Sequence, residues 1–171
     1  MLENLEQLVR DNAQDAIVNN SAVPNEQNEV AIQAASSSIF DTLKEQLSSG
    51  NAANIAEIFN NGQAAEGSPV VQQATSSLTE KLAGFGINAE TAKSIGASII
   101  PVILGKLANK TNDPNDSSFN IQDVLGKLAG GSDGKFDLTD VIGMFNGGGQ
   151  AQTNGQPAEG GMLDKLKGLF N

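Results

Sequence analysis

The chain has 171 residues, a net charge of −10, seven phenylalanines as its only aromatic residues, and no cysteine or histidine. This composition excludes a thiolate nucleophile, an imidazole base, a haem-binding histidine, a zinc site of nitrogen and sulfur ligands, and any disulfide. Residues 1–66 carry ten acids against two bases (Arg10, Lys44) and residues 67–171 ten acids against eight lysines; with one arginine and no basic stripe, this argues against nucleic acid as a partner and for an acidic, solubilising surface.

The start, MLENLEQLVRDNAQ, carries Glu3 and no uninterrupted apolar run, so it does not read as a secretory signal. Leu2, Leu5, Leu8, Val9, Ala13, Ala16 and Ile17 recur at helical spacing and predict an amphipathic helix over 2–18, ended by Asn19-Asn20-Ser21. Pro24 suits the first turn of a second, longer helix that runs to Leu47. Its inward face is Ala31, Ala34, Ala35, Ser38, Ile39, Thr42 and Leu43, small enough to let a neighbouring helix approach closely. Gly50 ends it; Ala53, Ile55, Ile58 and Phe59 mark a short third helix stopped at Asn61-Gly62.

Residues 64–67 form a small-residue connector, after which Ser68-Pro69 reads as an N-cap followed by proline at the first helical position. Val70, Val71, Ala74, Leu78 and Leu82 make the next stripe, and Gly84-Phe85-Gly86 stops it. Asn88 is placed to cap the following helix, which carries Ile95, Ile99, Ile100, Ile103, Leu104 and Leu107 and is expected at the centre of the core. Pro101 inside it should kink that helix or break it in two. The longest apolar run, residues 95–104, contains Gly96, Ser98 and Pro101 and is too short to span a bilayer, so a soluble, cytoplasmic protein is expected.

No alternating strand pattern occurs, which makes the expected fold class all-α. Internal repetition organises it further. SIFDTLKEQL (38–47) lies over SIIPVILGKL (98–107), and NIAEIF (54–59) over NIQDVL (120–125). A tighter echo sets FNIQDVLGKLAGG (119–131) against FDLTDVIGMFNGG (136–148). The reading is a helical bundle of two pseudo-symmetric three-helix units, 1–66 and 67–148, the second with an extra short helix. A Gly/Gln-rich linker (149–160) and an amphipathic C-terminal helix (161–171) follow.

The stretch INAETAKSIGASIIPVILGKLANK, with DVLGKLAGG after it, resembles the bacterial domain-of-unknown-function family 937, the group containing the YidB-like proteins. Ile87, Glu90, Ala92, Ile100-Pro101, Leu104, Leu107 and the glycines at 130–131 carry the resemblance. It covers residues 87–131 and, through the internal repeat, 17–62. What it implies is a small, soluble, helical bacterial protein with no catalytic residues to carry over. The acidic first half and the TNDPNDSS loop depart from the family pattern.

SDGKFDLTD resembles the second half of a calcium loop, with Asp133, Gly134, Asp137 and Asp140 at positions 5, 6, 9 and 12; Ala129 and Gly131 fall where the first two ligands belong. Its upstream echo supplies Asn112, Asp116, Asn120 and Asp123, with Pro114 at position 3. The alternative is structural: Asn120 with Asp123, and Asp137 with Asp140, at the N-cap and N3 positions of two short helices. A calcium-binding module using Asp116, Asp123, Asp133, Asp137 and Asp140 is therefore one reading of function.

Gly84-x-Gly86-x-x-Ala89 matches a loose dinucleotide fingerprint but follows a helix rather than a strand, so a helix stop is preferred. Paired carboxylates such as Asp11/Asp15 and Glu26/Glu29 fall on exposed helix faces, and no tryptophan or tyrosine is available to floor a sugar site. An enzyme is not expected, although a small hydrolase or lipid-handling protein with a pocket near residues 95–107 is a further alternative. MLDKLKGLFN places Met162, Leu163, Leu166, Leu169 and Phe170 on one helical face, with Lys165 and Lys167 off it. Leu163, Leu166, Leu169 and Phe170 are the expected anchors of a non-enzymatic interaction or self-assembly protein whose partner is itself or another protein. Two lysines and one aspartate give such a helix little attraction to an anionic membrane.

Overall fold

The computed structural model describes residues 2–113 and 115–119, together with positions 124, 126 and 128. Among these residues the fold is all-α, with no strand. The helices are α1 (Leu2–Asn12), α2 (Asn28–Ser48), α3 (Ala52–Asn61), α4 (Pro69–Gly84) and α5 (Ala89–Asn112), with three short non-α turns at Gln14–Val18, Asn25–Gln27 and Ser117–Phe119.

The first expected helix stops early. The Asn12 side-chain amide donates to the Leu8 carbonyl at 2.7 Å, and the chain widens into a π-helical turn over Gln14–Val18. Its signature is the wider ring, with Val18 N donating to Ala13 O at 3.1 Å and Asn19 N to Gln14 O at 2.7 Å. The turn lets Ala13 and Ile17 both stay fully buried. At Pro24 the chain first makes a 3₁₀ turn, Gln27 N donating to Pro24 O at 2.8 Å, and α2 begins at Asn28.

All seven inward positions expected on α2 are buried, and Ile32, Ser36, Gln46 and Leu47 are buried with them. This broad buried face follows from its neighbours: α1, α3, α4 and α5 all pack on it. Ser68 has the extended backbone of an N-cap, but its hydroxyl makes no capping bond. Asn88 does cap α5, its Oδ1 accepting from Glu90 N at 2.8 Å.

Pro101 does not break α5, which runs unbroken for 24 residues. The carbonyl that loses its partner belongs to Ala97, on the exposed side, where water can take the bond. Gly96, Ser98 and Pro101 do not interrupt α5, which by length and composition alone is long and apolar enough to cross a membrane; here its apolar side forms the middle of the core. That core is continuous from Leu5 in α1 to Val124 and Leu128 beyond α5.

Two asparagines of α5 finish α3. Asn112 Nδ2 donates to Phe59 O at 2.5 Å and Asn109 Nδ2 to Gly62 O at 3.1 Å. Both acceptors are carbonyls at the C-terminal end of α3, where no intrahelical donor is available. Gly62 has a φ of +63°. A Cβ there would come 2.6 Å from Asn109 Oδ1, so both backbone conformation and the approach of Asn109 favour glycine.

Candidate functional site

The loop after α5 contains the first expected calcium ligand, Asp116. Lys110 Nζ donates to Asp116 Oδ2 at 2.6 Å. Asp116 Oδ1 accepts from Ser118 N at 2.9 Å and from the Ser118 hydroxyl. The Lys110 hydrogen bond, followed by those of Ser118, lowers the Asp116 carboxyl from 3.8 to about 2. A cation at Asp116 would have to compete with the Lys110 ammonium. Asn112, from the same loop reading, is turned toward α3 and donates to Phe59 O. Asp123, Asp133, Asp137 and Asp140 lie outside the described residues, as do Leu163, Leu166, Leu169 and Phe170. Among the described residues no three acidic side chains converge as a metal-binding group.

A different feature stands out on the surface. An open cleft of about 360 Å³ lies between the start of α1, the first half of α2 and the end of α4. Leu2, Val30, Ala34 and Phe85 give it apolar walls, with Glu6 and Lys81 beside them. Leu2 is 44% exposed and Phe85 47%, which makes them two of the three exposed large hydrophobic residues among those described.

Local structure explains why Phe85 stays outside. The helix stop at Gly84 is a reversal in which Gly86 takes a φ of +86°. Gly86 N donates to Ala83 O at 3.0 Å and Ile87 N to Leu82 O at 3.1 Å. The reversal carries Ile87 into the core at 4% exposure. Gln27 Nε2 holds the Phe85 carbonyl at 2.9 Å, tying the turn to the start of α2.

The charged residues of the cleft already have partners. Arg10 bridges Glu6 at 3.1 Å and also pairs with Glu29. Lys81 Nζ donates to Ser37 Oγ at 2.9 Å and to Asp41 Oδ2 at 3.0 Å. An occupant therefore gains most by bringing apolar side chains to Leu2 and Phe85. The sequence pattern placed Leu2 on a core stripe and read Phe85 only as part of a helix stop. A phenylalanine between two glycines, at a turn where apolar burial is not required, was the signal available for this site.

A second open cleft of about 270 Å³ lies where the π-helical turn meets the middle of α5. Asn12, Asp15, Ala16, Ser98, Ile99 and Val102 line it, and Val102 is 46% exposed. Comparison of the chain with protein-family models, with curated proteins and with solved structures finds no match.

Proposed function

We propose that the chain is a non-enzymatic helical interaction protein that self-associates, with the cleft walled by Leu2 and Phe85 as one half of the contact. The observation that carries this reading is the exposure of those two side chains, 44% and 47%, at the mouth of an apolar cleft. Large apolar groups left in water at a concave site favour a partner that covers them.

The other half is the segment 161–171 of a neighbouring copy, with Leu163, Leu166, Leu169 and Phe170 as anchors. Three- and four-residue spacing of its apolar residues is what a helix needs to lay one face into a groove. Charge supports the pairing: the segment has Lys165 and Lys167 against Asp164, whereas residues 1–66 have ten acids against two bases. In this reading two related helical units form the body, and 149–160 tethers the docking segment to it. The resemblance to family 937 belongs to the same reading and assigns no catalytic residue.

Size-exclusion chromatography with light scattering on the full chain tests it. The expected result is a mass above the 17.7 kDa of one chain, rising with concentration and returned to the single-chain value by Leu166→Asp/Phe170→Asp or by Phe85→Asp. A single-chain mass for the unaltered protein at every concentration would overturn it.

A further inference from the structure

Asn61 is the last residue of α3, and it is exposed. Asparagine is a thermolabile residue, because the backbone nitrogen that follows it can attack its side-chain amide carbon. The residue that follows here is Gly62, which has no side chain to hinder that attack.

The fold holds the pair back. A helical backbone at Asn61 keeps the Gly62 nitrogen out of line with Asn61 Cγ, so the last turn of α3 has to open before the two atoms can meet. What keeps that turn closed is α5. Asn109 Nδ2 donates to Gly62 O at 3.1 Å, and Asn112 Nδ2 donates to Phe59 O at 2.5 Å. The chain after the turn lies directly on α5: a Cβ added at Gly105 would stand 3.5 Å from Gly62 O and 3.9 Å from Ala64 N.

We infer that Asn61-Gly62 is a site of spontaneous deamidation whose rate is set by the hold of Asn109 and Asn112 on the end of α3. In the first step the Gly62 nitrogen forms a bond to Asn61 Cγ and closes a five-membered imide. The bond from Cγ to the amide nitrogen breaks, and that nitrogen leaves as ammonia with the proton given up by Gly62. Water then adds to one of the two imide carbonyls and opens the ring, which restores the N–H of Gly62. Attack at one carbonyl leaves aspartate, and attack at the other leaves isoaspartate.

Both products place a carboxylate at the C-terminal end of α3, where the helix dipole is negative. Isoaspartate also adds a backbone carbon just ahead of Gly62, in a turn already seated on Gly105, and so moves Gly62 O relative to Asn109. Neither product returns to asparagine, so the altered turn accumulates with the age of the molecule.

Peptide mass spectrometry on the full chain, aged in mildly alkaline buffer with and without urea, tests the inference. The peptide holding Asn61 should gain the mass that replaces an amide nitrogen by a carboxyl oxygen, and should do so more slowly in the folded chain than in urea. Asn109→Ala removes one bond of the clamp at an exposed position. It should speed the reaction in the folded chain on the order of fivefold, the opening gained by losing one hydrogen bond, and leave the rate in urea unchanged. Equal folded rates in the unaltered and Asn109→Ala chains would overturn the clamp. An Asn61 that keeps its amide in urea, or reacts as fast folded as in urea, would also overturn the inference.

The sequence supplies its own control, since Asn146-Gly147 and Asn154-Gly155 repeat the dipeptide. Asn109→Ala should leave the rates at these two pairs unchanged. If it speeds all three pairs alike, the effect is a general loosening of the chain, and the hold of α5 on Asn61 is overturned.

Discussion

The flank of α4 that meets α2 carries Gln73, Ser77 and Lys81 at four-residue spacing, each bonded to a side chain of α2. The flank that meets α5 instead brings Thr75 against the bare backbone of Gly96. Between them lie the fully buried Ala74, Leu78 and Leu82. The first contact exchanges hydrogen bonds to water for hydrogen bonds across the seam, a small net gain with strict geometric demands. The second removes apolar surface from water and depends on close approach. One helix thus has a side that sets its register and a side that contributes most of its stability.

The largest expected effect lies on the apolar side. Ile100 is fully buried and sits one turn beyond Gly96. Ile100→Ala removes three carbons and leaves a cavity, and should cost about 2–5 kcal/mol in denaturant unfolding. A loss below 1 kcal/mol, measured with an unchanged denaturant slope, would end the division of labour between the two flanks.

The polar side is tested at Gln46, 8% exposed. Its Nε2 donates to Gln73 Oε1 at 2.5 Å, and its Oε1 accepts from Asn54 Nδ2 at 3.1 Å. Gln73 Nε2 extends the chain to Glu45 Oε2 at 2.7 Å. Gln46→Ala strands both amide partners and should cost about 1–3 kcal/mol. Gln46→Leu/Gln73→Leu removes both ends of the central bond and should fall within about 1 kcal/mol of the unaltered protein. If the double variant is as damaged as the single, the seam is a source of stability rather than of register.

Gly96 sharpens the comparison at closer range. A Cβ there would meet Thr75 Cγ2 at 3.0 Å, a tight contact with a residue held in the helix. Gly96→Ala gains helix propensity of about 1 kcal/mol but forces Thr75 aside, and the net expectation is a loss of about 1 kcal/mol. In a Thr75→Ser background, which lacks that methyl group, the same change should become neutral or stabilising. Gly84→Ala is the control: its Cβ meets nothing within 4 Å, so thermal unfolding should show a small gain.

Much of this arrangement was legible in the sequence, for reasons particular residues make plain. Ser38 and Thr42 read as inward because they share the spacing of Ile39 and Leu43, and both are buried. Gln46 did not, because what buries an amide is a partner amide 27 residues away, and local periodicity carries no trace of it. The end of α1 at Asn12 was missed because a π-helical turn keeps the apolar spacing of Ala13 and Ile17 while changing the backbone. Of the kink or break expected at Pro101, the break does not occur: the helix continues through it, with Ala97 on the exposed side. At the candidate site, Leu2 shares the α1 stripe yet projects past what the core covers. The tail anchors and four of the five acidic residues of the calcium reading lie outside the described residues.

The smallest expected effect comes where α5 gives way to the loop that follows it and apolar contact is replaced by a charge pair. Asp116 is held by Lys110 and Ser118, and its carboxyl is lowered from 3.8 to about 2. A carboxyl depressed on folding stabilises the folded chain when ionised, so its contribution is complete above about pH 4, the ordinary range for this group. It is lost as pH falls through about 2, where the folded form also takes up the proton. Both partners are partly exposed, so solvent screening keeps the effect small. Asp116→Asn should therefore melt slightly below the unaltered protein at neutral pH, and the two melting curves should converge between about pH 4 and pH 2. Melting temperatures followed across that window, at low and high salt, measure it. A gap that persists unchanged to pH 2 would assign the effect to the shape of the loop, through the Ser118 bonds, rather than to the ionised pair.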